Sequence, residues 1–170
     1  MYSADRDWEA RVTPMLIQCV ADLFGGQIRP ANAVDDMLYG TDFLWYRKGK
    51  THRLATRVRR HWHLKYKDDF TIREGRPWSG HSTELEKIRK TDWADLYAYA
   101  FSDGEKILYW SLFKMIHFNP DAPFTYMPGY GPSDKSDTIT RVYRIADQPE
   151  GFCRGSWSLV DGAIPNRVAA

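Results

Sequence analysis

Cysteine is scarce in this chain. Cys19 and Cys153 lie far apart and match no metal-ligand spacing. They read as buried thiols of a reducing compartment, and nothing in their placement supports a disulfide. Long apolar runs are missing too: none approaches the ~18 residues of a membrane span. The first twelve residues are acidic and polar, which excludes a signal peptide. The expected location is therefore the cytoplasm, with no membrane partner. Walker loops, dinucleotide-binding glycine fingerprints, serine elbows and EF-hand loops are absent, and so are repeats and low-complexity tracts. Net charge is also small, at +2.

That small net charge conceals a strong asymmetry. The segment from Arg47 to Arg73 holds ten Lys and Arg against two acids, Asp68 and Asp69, a local charge of +8. The residues before it carry −4 and those after it −2. His52, His61 and His63 lie in the same segment, with Trp45, Tyr46, Trp62 and Tyr66 interleaved. Positive charge concentrated on one element beside flat aromatics suits a polyanion. The plainer alternative is a solvated strand face. Aromatics make up 15% of the chain, with seven Trp, more than a core of this size encloses. Surface aromatics suit base stacking or a protein interface.

Length and composition fit one globular domain, with a core over about 5–115 and a C-terminal extension over about 119–170. Apolar residues recur at three- and four-residue steps from Asp5 to Phe24 (Trp8, Val12, Leu16, Val20), predicting a helix. Ser3 or Asp5 would cap its start and Gly25-Gly26 would end it, while Pro14 would kink or split it. Met37–Tyr46 and His52–His61 read as strands joined by a tight turn at Arg47–Lys50. Leu54, Thr56 and Val58 share one face of the second strand, and Arg57 and Arg59 the other. Asp69–Arg73 is a third strand, and Thr83 with Glu86 forms a capping box for a short helix. Two strands, Asp95–Phe101 and Lys106–Phe113, flank an Asp-Gly hairpin turn. One more is expected at Thr138–Ile145, with an irregular tail from Asp147. The order predicts an α+β fold. Its central mixed, largely antiparallel sheet carries the N-terminal helix and the short second helix, and the Pro/Gly-rich C-terminal region is irregular.

This element order resembles the PD-(D/E)XK nuclease superfamily, whose core runs helix, three-strand meander, helix, strand. Gly40-Thr41-Asp42-Phe43-Leu44 is similar to its Asp-bearing strand start. Arg57-Val58-Arg59, fifteen residues after Asp42, stands where Glu-x-Lys is expected. Small phage and prophage proteins of this group carry segments similar to Thr41-Asp42, Thr71-Ile72-Arg73 and Thr83-Glu84-Leu85-Glu86-Lys87-Ile88. The resemblance implies a nuclease scaffold with a broken metal site: Arg57 would repel Mg²⁺ where a carboxylate is needed, and Arg59 cannot act as a base. Migrated acids could restore the site, with Glu9, Asp36, Asp69 and Glu84 the candidates to face Asp42. Asp42 also fits a turn or strand-cap role.

Further chemistry is thinner. His61 and His63, with His81, could bind zinc or serve as acid/base groups; surface histidines beside a basic patch are the plainer reading. Ser79-Gly80-His81-Ser82 could hold a phosphate or simply cap a helix. The leading expectation is a nucleic-acid-binding protein with a degenerate nuclease-like site. Arg53, Arg57, Arg59, Arg60, Lys65 and Arg73 would contact phosphates, and Trp45, Trp62 or Tyr66 would stack. One alternative is an active nuclease centred on Asp42, the only case that calls for Mg²⁺; otherwise no cofactor or metal is expected. A second is an inhibitor of a host defence complex of the CRISPR type, so that the partner is either nucleic acid or a nucleic-acid-binding protein complex.

Overall fold

The computed structural model describes residues 2–76, 82–90, 92–134 and 138–159. Helix α1 spans Tyr2–Phe24. It starts ahead of Ser3 and Asp5, so neither is its cap. Pro14 lies inside it without splitting it, and Gly25, at φ 71°, ends it. The chain then forms β1 (Gln27–Pro30), α2 (Ala33–Tyr39), β2 (Phe43–Arg47) and β3 (Lys50–Arg60). Met37–Tyr39, expected as the start of a strand, closes α2 instead. Asn32 caps that helix through its side chain, and Gly40 ends it at φ 57°. A side chain at Gly40 would run into the Trp93 indole, so both conformation and space require glycine there.

The expected hairpin is present, with β2 and β3 antiparallel from Arg47↔Lys50 to Phe43↔Leu54. Lys48 and Gly49 both take positive φ in its turn, which matches the right-handed twist of the strands. The third strand of the meander, however, is β1, which pairs with β2. Asp69–Gly75, β4, lies in a different sheet. Helix α3 (Glu84–Arg89) carries the expected capping box. It is followed by β5 (Leu96–Ser102) and β6 (Ile107–Lys114), and β5 runs parallel to β3. The C-terminal region is more ordered than its composition suggests. β7 (Phe124–Tyr126), β8 (Ile139–Arg144) and β9 (Cys153–Ser158) are strands, and only β8 was expected.

Three layers result. The main sheet has the order β1-β2-β3-β5-β6-β9, and β4-β8-β7 forms a smaller antiparallel sheet. Val12, Leu16 and Val20 of α1 cover one face of the main sheet, over Leu54, Val58, Ala98 and Ala100. The small β5 alanines leave room for the helix. The opposite β5 positions, Tyr97, Tyr99 and Phe101, meet Phe70, Ile72 and Tyr143 of the small sheet. This alternation is the period-two pattern of a strand buried on both faces. Among the described residues, no helix is long and apolar enough to cross a membrane.

Candidate functional site

Asp42 stands immediately before β2, where that strand runs out. β2 pairs with β3 only as far as Leu54. The next outward amide on β3, Thr56 N, donates to Asp42 Oδ2 at 2.6 Å, and the Thr56 hydroxyl donates to the same oxygen at 2.8 Å. Asp42 thus acts as a strand cap, standing in for the carbonyl that a longer β2 would supply. Burial pushes its carboxyl up to about 6 against the opposing pull of these bonds.

A cleft of about 1120 Å³ opens beside it, between α1, the α2 segment, β3, β4 and α3. Three of the four acids considered as migrated partners, Glu9, Asp36 and Glu84, line the cleft with Asp42. Asp69 does not; it sits opposite Arg144 in the small sheet. Glu84 is committed. Its Oε1 accepts from Arg57 in a largely buried ion pair, and its Oε2 accepts from Arg73 N at 2.7 Å. Burial opposes the Glu84 charge, but Arg57 and then Arg73 hold its carboxyl below the usual range. Burial likewise opposes the charge on Arg57, and Glu84 more than offsets it. This donor set does not fit Mg²⁺: the Arg57 guanidinium lies among the lining groups, and it neutralises the Glu84 carboxylate. Among the described residues, no three His, Cys, Asp or Glu gather as a metal site.

The polyanion face expected along β3 is largely turned inward. β3 lies between β2 and β5, with the small sheet across one of its faces, so Arg57 and Arg59 enter the space between the sheets. Both donate to Thr71 Oγ1, at 3.1 and 3.2 Å, and Arg59 Nε donates to Tyr99 OH at 3.1 Å. Trp45 is also misplaced as a stacking residue. It is 3% exposed, and its Nε1 donates to Gly25 O at 2.9 Å. Arg53 pairs with Asp95 through both its backbone N and its guanidinium, at 2.8 and 3.2 Å. Arg73 lines the cleft rather than the outer face.

Four of the expected residues do gather at the surface. His61–Tyr66 is a 3-10 turn, not a strand end, so His61 and His63 do not share a strand face. The turn leaves Trp62 56% and Tyr66 51% exposed. Lys65 Nζ lies 5.0 Å from the Tyr66 ring centroid, and Lys67 Nζ lies 5.6 Å from that of Tyr109. The Arg60 guanidinium is 4.7 Å from the Trp8 ring and 5.4 Å from the Trp62 ring. Together they form an aromatic and basic shelf at the end of β3. Ser79, Gly80 and His81 of the candidate phosphate loop, and hence the third histidine, lie outside the described residues.

Arg76, Lys87, Trp93 and Tyr97 line the cleft without having been singled out in the sequence. Glu84 and Lys87, three residues apart on α3, share a helix face, which was a readable signal. The other three arrive from other segments. In comparison with known proteins, no family model matches the chain, and neither a curated protein nor a solved structure matches it.

Proposed function

We propose that this chain binds nucleic acid through the shelf at Trp62 and Tyr66 and does not cleave it. The observation that carries the reading is the pair of exposed rings with Arg60, Lys65 and Lys67 against them or their neighbours. Flat rings beside cations offer stacking to any base and charge to any phosphate, the chemistry of single-strand binding. The scaffold supports a degenerate nuclease-like origin. Its main sheet carries a helix, a three-strand meander with α2 inserted after the first strand, and, after β4 of the small sheet, helix α3 and a parallel strand, with Asp42 at the second meander strand and Arg57-Val58-Arg59 on the third. The uncompensated need for a carboxylate at Arg57 is the reason cleavage is not expected.

The test is a binding titration of labelled single-stranded DNA and RNA over a salt series. Replacing Trp62 and Tyr66 by Ala should weaken binding at least tenfold, given ~1–3 kcal/mol per stacked base. Lys65→Ala and Lys67→Ala should each flatten the log–log salt slope by about one. Wild-type binding without salt dependence, or a double aromatic variant that binds normally, overturns the reading. So does Mg²⁺-dependent cleavage that Asp42→Asn abolishes.

One observation favours a protein partner as a second reading. Helix α2 buries no residue and exposes Val34, Met37 and Leu38. An inhibitor anchored on that apolar face would bind a nucleic-acid-handling complex with little salt dependence.

A further inference from the structure

We propose that the cleft beside Asp42 binds a phosphate group, held between the guanidinium groups of Arg73 and Arg76. This site is distinct from the Trp62 shelf and does not depend on the shelf reading. It begins from a charge imbalance. Three guanidinium groups, of Arg57, Arg73 and Arg76, are arranged about one carboxylate, Glu84. Arg57 takes Glu84 Oε1 in a close ion pair, and the backbone of Arg73 takes Oε2. The Arg73 guanidinium is left 4.0 Å from Oε1, at the outer limit of pairing, with its side chain only 30% exposed. Burial and then the neighbouring Arg57 charge both disfavour its ionised form. Arg76 lines the same cleft and makes no hydrogen bond or ion pair among the described residues. Arg57 and Arg73 therefore share one carboxylate, and Arg76 has no ion pair among the described residues, an arrangement that an anion in this partly desolvated space would complete.

The chemistry favours phosphate over a carboxylate. A phosphate monoester carries close to two negative charges, and its oxygens suit the planar fork of arginine. The other charged lining groups are Arg6, Glu9, Asp36, Asp42 and Lys87. Lys87 Nζ is occupied by the carbonyls of Met37 and Asp36, at 2.5 and 3.4 Å. Asp42 faces Thr56. Glu9 and Asp36 come from α1 and α2 rather than from the β4 segment that carries the two arginines. The indole Nε1 of Trp93, another lining residue, is buried without a partner. The volume of about 1120 Å³ admits a ligand of nucleotide size around the phosphate. The same group occurs at the end of a nucleic-acid strand and on small phosphorylated molecules.

Thermal melting of the full chain with inorganic phosphate, against chloride at equal ionic strength, tests the site. Wild type should melt higher by roughly 5–8 °C at a hundredfold excess over Kd. Arg76→Ala, which removes no hydrogen bond or ion pair among the described residues, should melt at or above the wild-type temperature without phosphate and lose the rise. Arg73→Ala should lose it as well, and the double Trp62→Ala, Tyr66→Ala variant should keep it. No rise in wild type, or a rise retained in Arg76→Ala, overturns the proposal. Competition by a 5′-phosphorylated oligonucleotide against its 5′-hydroxyl form, and by a nucleoside monophosphate, separates the two sources. Displacement of phosphate by either supports the site, and displacement by the 5′-hydroxyl oligonucleotide as readily as by the phosphorylated one counts against it.

Discussion

Asp42 does two things with one side chain. It accepts both Thr56 donors, and it remains in a half-buried setting that penalises its charge. The consequence for stability has a definite sign. Well below the ordinary value of 3.8 the carboxyl is neutral in both folded and unfolded chains and costs nothing. As pH rises, the unfolded chain releases the proton first, while the folded chain holds it up to about 6. Stability therefore falls between those two values and levels off above the higher one. Asp42→Asn keeps an acceptor for Thr56 and removes the charge. The variant should gain up to about 3 kcal/mol at neutral pH over wild type. It should also lose the slope in this window. Urea unfolding across the pH series measures both, and an Asn variant with the wild-type slope would refute the assignment. The same residue-level logic places Trp45. On β2 it faces α1, where a ring of its size finds Phe24 at 5.9 Å and a carbonyl for its N–H.

At the scale of elements, the Arg57–Glu84 pair ties β3 to α3. Helix α3 is six residues long, too short to persist alone. It is held by its capping box, by Leu85 in the core and by this pair. Breaking a largely buried pair leaves a charge without its partner. Glu84→Ala should therefore cost about 3–5 kcal/mol. The paired replacement Arg57→Met with Glu84→Leu should recover part of that loss, because neither of these two charges is then stranded although Arg73 N loses its acceptor. A double-mutant cycle in urea reads the coupling. If the double variant is as unstable as Glu84→Ala, the pair is not what joins these elements. Arginines of β3 that read as a nucleic-acid face thus serve in part as internal fasteners.

At the scale of the molecule, the two sheets share one aromatic interior. Phe70 of β4 contacts Phe113 of β6 at 5.0 Å, and Phe152, just before β9, stacks on Phe113 at 4.8 Å. Tyr143 of β8 stacks on Phe70 at 5.6 Å. The C-terminal region therefore completes both the sheets and the core between them. A chain truncated after Phe118 would lose β7, β8 and β9 and uncover these rings. It should show no cooperative thermal transition, lose its near-ultraviolet circular dichroism and bind a hydrophobic dye. A cooperative melt near that of the full chain would mean that the first part folds as a unit of its own.

Local chemistry in the sequence determined a good deal. Three-four spacing placed α1, the Lys48-Gly49 and Asp103-Gly104 turns placed two hairpins, and Thr83 with Glu86 placed α3. These signals act within a few residues, through φ preferences and near-neighbour hydrogen bonds. Asp42 and the pairing of arginines with an acid such as Glu84 were legible as alternatives only. The tertiary structure alone decided which face of β3 is covered, because alternation groups Arg57 with Arg59 without saying which layer they meet. It also decided that Asp69–Gly75 leaves the main sheet and that β9 joins it. Strand pairing is a contest among distant partners for the same edge, and its outcome depends on the rings those partners bring. The cleft is the clearest case. Its arginines and acids come from six separate segments, and only their convergence brings the Glu84 carboxylate together with the guanidinium groups of Arg57, Arg73 and Arg76.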